Sequence, residues 1–107
     1  MDSIMYIEQV EDELFQLKKE NGPVGTFKLI GLSNGVVKLE QLQVKDHISP
    51  GRILEVFEVI LSHVEAAGHK ELLVESHSDA LDFLLQYQQF KKKDVKNRLW
   101  IYEVNHK

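Results

Sequence analysis

The sequence predicts a single α/β domain built on a mixed sheet, with the element order α-β-β-α-β-α-β-β. Three features predict it. Asn34-Gly35 separates two runs rich in β-formers, a hairpin signature, because the tight turn needs positive φ at both central residues. A long apolar-striped helix ending at Gly68 joins the second of those strands to a short apolar run at 71–75. A strand, a crossover helix and a strand form a βαβ unit, so these two strands should run parallel with a right-handed connection. The C-terminal stretch from Phe90 closes the sheet as a hairpin, with a lysine-rich turn between its strands.

Residues 2–20 read as an amphipathic helix capped by Asp2 or Ser3. Ile7, Val10, Leu14 and Leu17 recur at helical spacing, and Asn21-Gly22-Pro23 stops the run. The hairpin strands follow, running over 24–32 and from Val36 to about Val44. The second strand has one fault in its pattern. Val37 and Leu39 alternate, then Glu40-Gln41 intervene, and Leu42 and Val44 resume one residue out of phase. That suggests a β-bulge, or else a strand partly buried on both faces. Ser49 suits a helix cap and Pro50 the first helical position. Ile53, Val56, Phe57, Ile60 and Val64 form the stripe of that helix, wide enough to pack on a sheet. Leu72-Leu73-Val74 fits a strand buried on both faces. Ser76-His77-Ser78-Asp79 opens a last helix, with Ala80, Leu81, Leu84, Leu85 and Tyr87 read as inward. In the final strand Trp100, Tyr102 and Val104 share one face and Leu99 and Ile101 the other.

The totals set limits. A chain of 107 residues fits one domain, spanning 1–107. Absence of cysteine removes disulfides and thiolate metal sites, and suits a reducing, cytoplasmic setting. No apolar run approaches the ~20 residues of a membrane span, and the N-terminus has no basic n-region of a signal peptide. A net charge of -4 disfavours nucleic acid and anionic membrane as partners. The five histidines show no helical metal-site spacing, so no metal is expected. Lys91, Lys92, Lys93, Lys96 and Arg98 form a basic hairpin, read as a solvated hairpin that could also blunt an edge strand more readily than as a nucleic-acid or acidic-partner patch.

Two places could carry chemistry. Glu40, at a bulge facing a cleft, could deprotonate an amine through a water; otherwise it is a solvent-facing strand residue. The turn 45–52 could hold an anion, with Gly51 and the helix N-terminus supplying donors and Arg52 supplying charge; otherwise it is a plain helix cap.

With these residues, the stretch from about Val36 to Val104 resembles the GNAT superfamily of acyl-CoA-dependent N-acetyltransferases. Leu39-Glu40-Gln41-Leu42-Gln43-Val44 matches the family's central strand, which commonly bulges. Gly68 ends the following helix, Leu72-Leu73-Val74 matches the next strand, and Ala80 through Phe83 match the start of the last helix. The N-terminal part would be shortened. The resemblance implies acetyl-CoA or CoA as cofactor, held near Val44, Ser49, Gly51 and Arg52. The family's pyrophosphate loop, Gln/Arg-x-x-Gly-x-Gly/Ala, falls on Ile48, Gly51 and Ile53, so only one glycine is kept. The tyrosine that often protonates the departing thiolate falls on Leu84, which leaves Tyr87 as a displaced candidate acid.

Two functions are therefore expected. The first is a small GNAT-like domain that has lost standard catalysis and binds a protein partner as a regulatory module. The second is an active N-acetyltransferase with a divergent loop, taking a small amine, with Glu40 as base. Pairing of edge strands could also make a homodimer.

Overall fold

Alternation of apolar residues organises more of the chain into strands than helical spacing organises into helices. The computed structural model describes residues 4–20, 22–45 and 50–104. Among the described residues, seven strands form one sheet. They are β1 (Tyr6–Gln9), β2 (Leu14–Lys19), β3 (Gly22–Gly31), β4 (Val36–Val44), β5 (Glu71–Glu75), β6 (Lys91–Asp94) and β7 (Leu99–Glu103). Helix α1 (Pro50–Ala66) joins β4 to β5, and helix α2 (Asp79–Tyr87) joins β5 to β6. The spatial order is β1-β2-β3-β4-β5-β7-β6, antiparallel except for the β4–β5 pair. The mixed α/β domain expected from the sequence is present. No described helix is long and apolar enough to cross a membrane.

The N-terminal helix is a correction. Residues 2–20 were expected to be helical, but the described part forms the β1–β2 hairpin, so the order begins β-β-β-β rather than α-β-β. Helical spacing of Ile7, Val10, Leu14 and Leu17 coexists with alternation of Met5 with Ile7 and of Phe15 with Leu17. A helix would put Phe15 and Leu17 on nearly opposite sides. The sheet puts both in the core, with Leu17 fully buried, and leaves Val10 exposed in the turn. There the Leu14 carbonyl accepts from the Val10 N–H at 2.9 Å. Tertiary burial of a phenylalanine outweighs a local spacing pattern.

The hairpin turn forms where Asn34-Gly35 predicted it. Asn34 has φ 64° and Gly35 φ 80°, and the Leu32 N–H donates to the Val36 carbonyl at 2.7 Å. Gly68, at φ 84°, ends α1, with the His69 N–H donating back to the Val64 carbonyl.

Both helices lie on the same face. The β4–β5 and β5–β6 connections advance in one direction across the sheet, and right-handed crossovers then stay on one side. Side chains agree. The row Leu29, Leu39, Val74 and Trp100 crosses four strands and packs in the core with Val56, Phe57, Ile60 and Leu85. Phe90 links the helices to the sheet, edge-on to Phe57 and tilted on Tyr102. His63 of α1 lies edge-on to Phe15, and its burial, with His69 nearby, pushes its pKa below the ordinary value. The opposite row, Ile30, Lys38, Leu73 and Ile101, faces away from both helices. Leu73 is nonetheless buried, flanked by its cross-strand neighbours Lys38 and Ile101, whose stems can cover apolar surface.

Of the glycines, Gly25 has the closest backbone neighbour. A β-carbon there would lie 2.3 Å from the Gln43 carbonyl oxygen. Gly25→Ala should cost about 1–3 kcal/mol, as overpacking does. Gly31, with open space around it, is the control. The urea midpoint should fall for the first variant and hold for Gly31→Ala; equal midpoints would mean that β4 yields freely at this point.

Candidate functional site

The site begins with a fault in strand pairing. Thr26 pairs with Gln43 and Lys28 with Glu40, so two steps along β3 face three along β4. The extra residue is a bulge, and Gln41 within it adopts φ 52°. A glutamine at positive φ holds backbone strain of about 1–3 kcal/mol, which surrounding structure must maintain. The sequence had left the bulge open against a two-sided strand; the register settles it.

On its other side, β4 pairs with β5 only as far as Leu39 opposite Val74, although β4 continues to Val44. The strands fork there. A cavity of about 340 Å³ lies in the fork. Leu39, Leu42, Val74, Phe57 of α1 and Leu81 of α2 form its apolar side, while Lys38, Glu40, Glu75 and His77 form its polar side. Past Leu39, the edge of β4 that faces the fork has no strand partner among the described residues. Such an edge can pair with an extended molecule carrying amide groups.

The expected site residues fall in three groups. Glu40 lines the cavity, beside the bulge, with its side chain 41% exposed. Val44 ends β4, half-buried against the core. Gly51 and Arg52 lie in the first turn of α1 and are exposed, with open space around the Gly51 α-carbon. Ile53 packs on the core, so its bulk is directed inward. Gly51 precedes the cavity-lining Phe57 by six residues, a rise of about 9 Å along the helix. Ser49 lies outside the described residues. Tyr87 does not line the cavity and is 67% exposed. The inward reading of Tyr87 is therefore corrected. The short helix buries Leu85 and half-buries Leu81, and a residue two places past Leu85 is turned about 200° away.

Lys38 and Glu75 were missed in the sequence, and His77 was read only as a capping residue. Lys38 Nζ lies 3.5 Å from Glu40 Oε1 and 3.6 Å from Glu75 Oε2. One signal was available: Lys38 and Glu40 are two apart on a strand and share a face. Glu75 could have been suspected from its place at the carboxyl end of a parallel strand, where open α/β sheets bind ligands. No group of residues among those described could hold a metal ion.

The fold has counterparts among known structures. An acetyltransferase of the GNAT family from Staphylococcus aureus matches with a TM-score of 0.63 and 14% identity, over 86% of this chain and 67% of that one. A GNAT family N-acetyltransferase from Escherichia coli, solved with CoA, matches with a TM-score of 0.72 and 8% identity, over 98% of this chain and 83% of that one. The N-terminal domain of a ribosomal-protein-alanine acetyltransferase from Clostridium acetobutylicum matches with a TM-score of 0.63 and 16% identity, over 91% and 88%. The chain has the GNAT fold. No protein-family model matches the sequence, and no curated protein does.

A second polar cluster braces this GNAT-like domain beside the fork. Asp82 of α2 accepts from Arg98 and, at 3.1 Å, from the Trp100 indole N–H. Arg98 also reaches Asp79 at 3.1 Å. Hydrogen bonds from Ser76, Arg98 and Trp100 hold the Asp82 carboxyl below its ordinary range. Ser76 has one hydroxyl proton, which the Ser78 carbonyl at 3.0 Å also attracts, so Arg98 and Trp100 are the steadier donors. The cluster ties the start of α2 to β7 and so fixes Leu81 over the cavity.

A depressed carboxyl pKa contributes stability that is present above the unfolded-state pKa of ~3.9 and lost as pH falls through the lower folded value. Asp82→Asn should therefore unfold at a lower temperature than the parent at neutral pH. The difference should close in strong acid. Thermal unfolding across a pH series checks it; a gap that persists unchanged into strong acid would assign the effect to packing.

Proposed function

We propose that this domain binds acetyl-CoA in the fork and transfers the acetyl group to a primary amine. The observation that carries this reading is the bulged stretch of β4, paired with β3 but not with β5, beside a cavity with Glu40 on its polar side. An extended thioester arm bearing amides suits the open strand edge. Gly51, Arg52 and the N-terminus of α1 would take the pyrophosphate, with backbone donors and positive partial charge. CoA bound to the Escherichia coli neighbour is in keeping with this. Glu40 would accept the proton that the amine loses on attack.

The departing thiolate needs modest help. A thiolate leaves near neutrality far more readily than an alkoxide, because a thiol is much the stronger acid. Leu84, at the position where the resemblance would place the acid, is thus compatible with turnover. It also motivates the second reading, in which this is a regulatory module whose fork binds a ligand or protein without chemistry. The cysteine-free chain would work in the cytoplasm under either reading.

Calorimetric titration with CoA and acetyl-CoA separates the readings. Binding should appear, and at ligand near a hundredfold Kd the protein should gain about 2.7 kcal/mol in stability. Glu40→Gln should then lower acetyl transfer by ~10²–10⁴-fold and leave CoA affinity in place. Transfer that survives the substitution removes Glu40 as base. Absence of binding at millimolar ligand retires the enzyme and leaves the module.

A further inference from the structure

We propose that Lys38 is itself an acetyl acceptor, modified within its own molecule by the acetyl-CoA bound in the fork. This rests on the acetyl-CoA reading above. Its starting point is a side chain that the sequence did not single out. Lys38 lies one residue before the last paired row of β4 and β5, so it stands at the apex of the fork. Its side chain lines the cavity and is 28% exposed. Its ammonium sits between two carboxylates, 3.5 Å from Glu40 and 3.6 Å from Glu75. A primary amine in the cavity, beside the residue placed as base, already has the surroundings that an external amine would need.

The geometry also leaves Lys38 free to move. Both distances exceed the 2.7–3.2 Å of a formed N–H···O bond. The pairs are part-exposed, and such pairs hold a long side chain weakly. A flexible four-carbon stem can therefore bring the nitrogen to a thioester held along β4. No diffusion is needed, and tethered reactants of this kind have high effective molarity. Lys28 is the cross-strand neighbour of Glu40 but does not line the cavity, and Lys91, Lys92 and Lys93 lie on the edge strand β6.

The step balances. Glu40 takes one proton from the ammonium, and the freed lone pair attacks the thioester carbonyl carbon. A C–N bond forms and the C–S bond breaks, with its electron pair leaving on sulfur. The second nitrogen proton goes to the thiolate, giving CoA thiol, and the proton on Glu40 passes to water. The product is a neutral amide at Lys38, and both carboxylates lose their cation.

The test is incubation of the full chain with deuterium-labelled acetyl-CoA, followed by peptide mapping by mass spectrometry, with CoA binding measured in parallel. The label should collect on Lys38 at a first-order rate that does not change with protein concentration. Glu40→Gln should slow it by ~10²-fold or more. Lys38→Arg should abolish that label while CoA still binds. Label spread over exposed lysines, or a rate rising with protein concentration, overturns the proposal. If CoA binds and Lys38 stays unlabelled, only this proposal falls. If CoA does not bind, it falls together with the reading on which it rests.

Discussion

Beyond Leu39, β4 is paired on the β3 side alone. The added residue at Gln41 bends the strand, and its far portion keeps β3 as neighbour while parting from β5, which itself ends at Glu75, one residue past its last pair with β4. The cavity, the unpartnered strand edge and the convergence of Lys38, Glu40 and Glu75 all follow from that parting. Gly25 is a companion requirement. Only a residue without a β-carbon permits β3 to lie so close to Gln43, which keeps the bulged portion attached to the sheet. The strain at Gln41 is maintained by pairing on the β3 side and by the packing of Leu42 and Val44 on the core.

Magnitudes separate what holds the domain from what equips it. A fully buried side chain such as Phe27, Phe57 or Ile60 contributes about 1.5–3 kcal/mol through burial, and the core contains many. A part-exposed ion pair contributes roughly 0–1 kcal/mol. The Lys38 pairs therefore add little to the fold and are available for rearrangement. The Asp82 cluster differs in kind, because several donors converge on one carboxylate and join α2 to β7. It braces the wall of the cavity, while the Lys38 cluster lines its polar side.

The two-layer arrangement has a further consequence. With α1 and α2 on one face, the row through Lys38 and Leu73 is covered by no helix among the described residues. The polar side of the fork is thus reached from the open face, and the apolar side is closed by Phe57 and Leu81. A ligand lying along β4 would meet apolar surface on the helix side and charge on the other. The lysines of β6 lie at one edge of the sheet, where charge discourages strand pairing with another chain.

The sequence by itself determined the βαβ unit, the Asn34-Gly35 hairpin, the stop at Gly68 and the apolar stripe of α1. Each depends on residues close in the chain, whose conformational preferences act locally. The phase slip between Leu39 and Leu42 also pointed to the bulge, because a strand with one buried face records an inserted residue in its alternation. Tertiary structure decided what local patterns leave ambiguous. Phe15 and Leu17 become strand residues because α1 offers them a core, and periodicity cannot foresee that partner. Tyr87 turns to solvent because the helix that carries it is anchored through Leu85. Lys38 and Glu75 belong to different strands, separated in sequence by all of α1, and only their parallel pairing brings both to one fork. Local chemistry sets the elements; long-range pairing sets which charges meet.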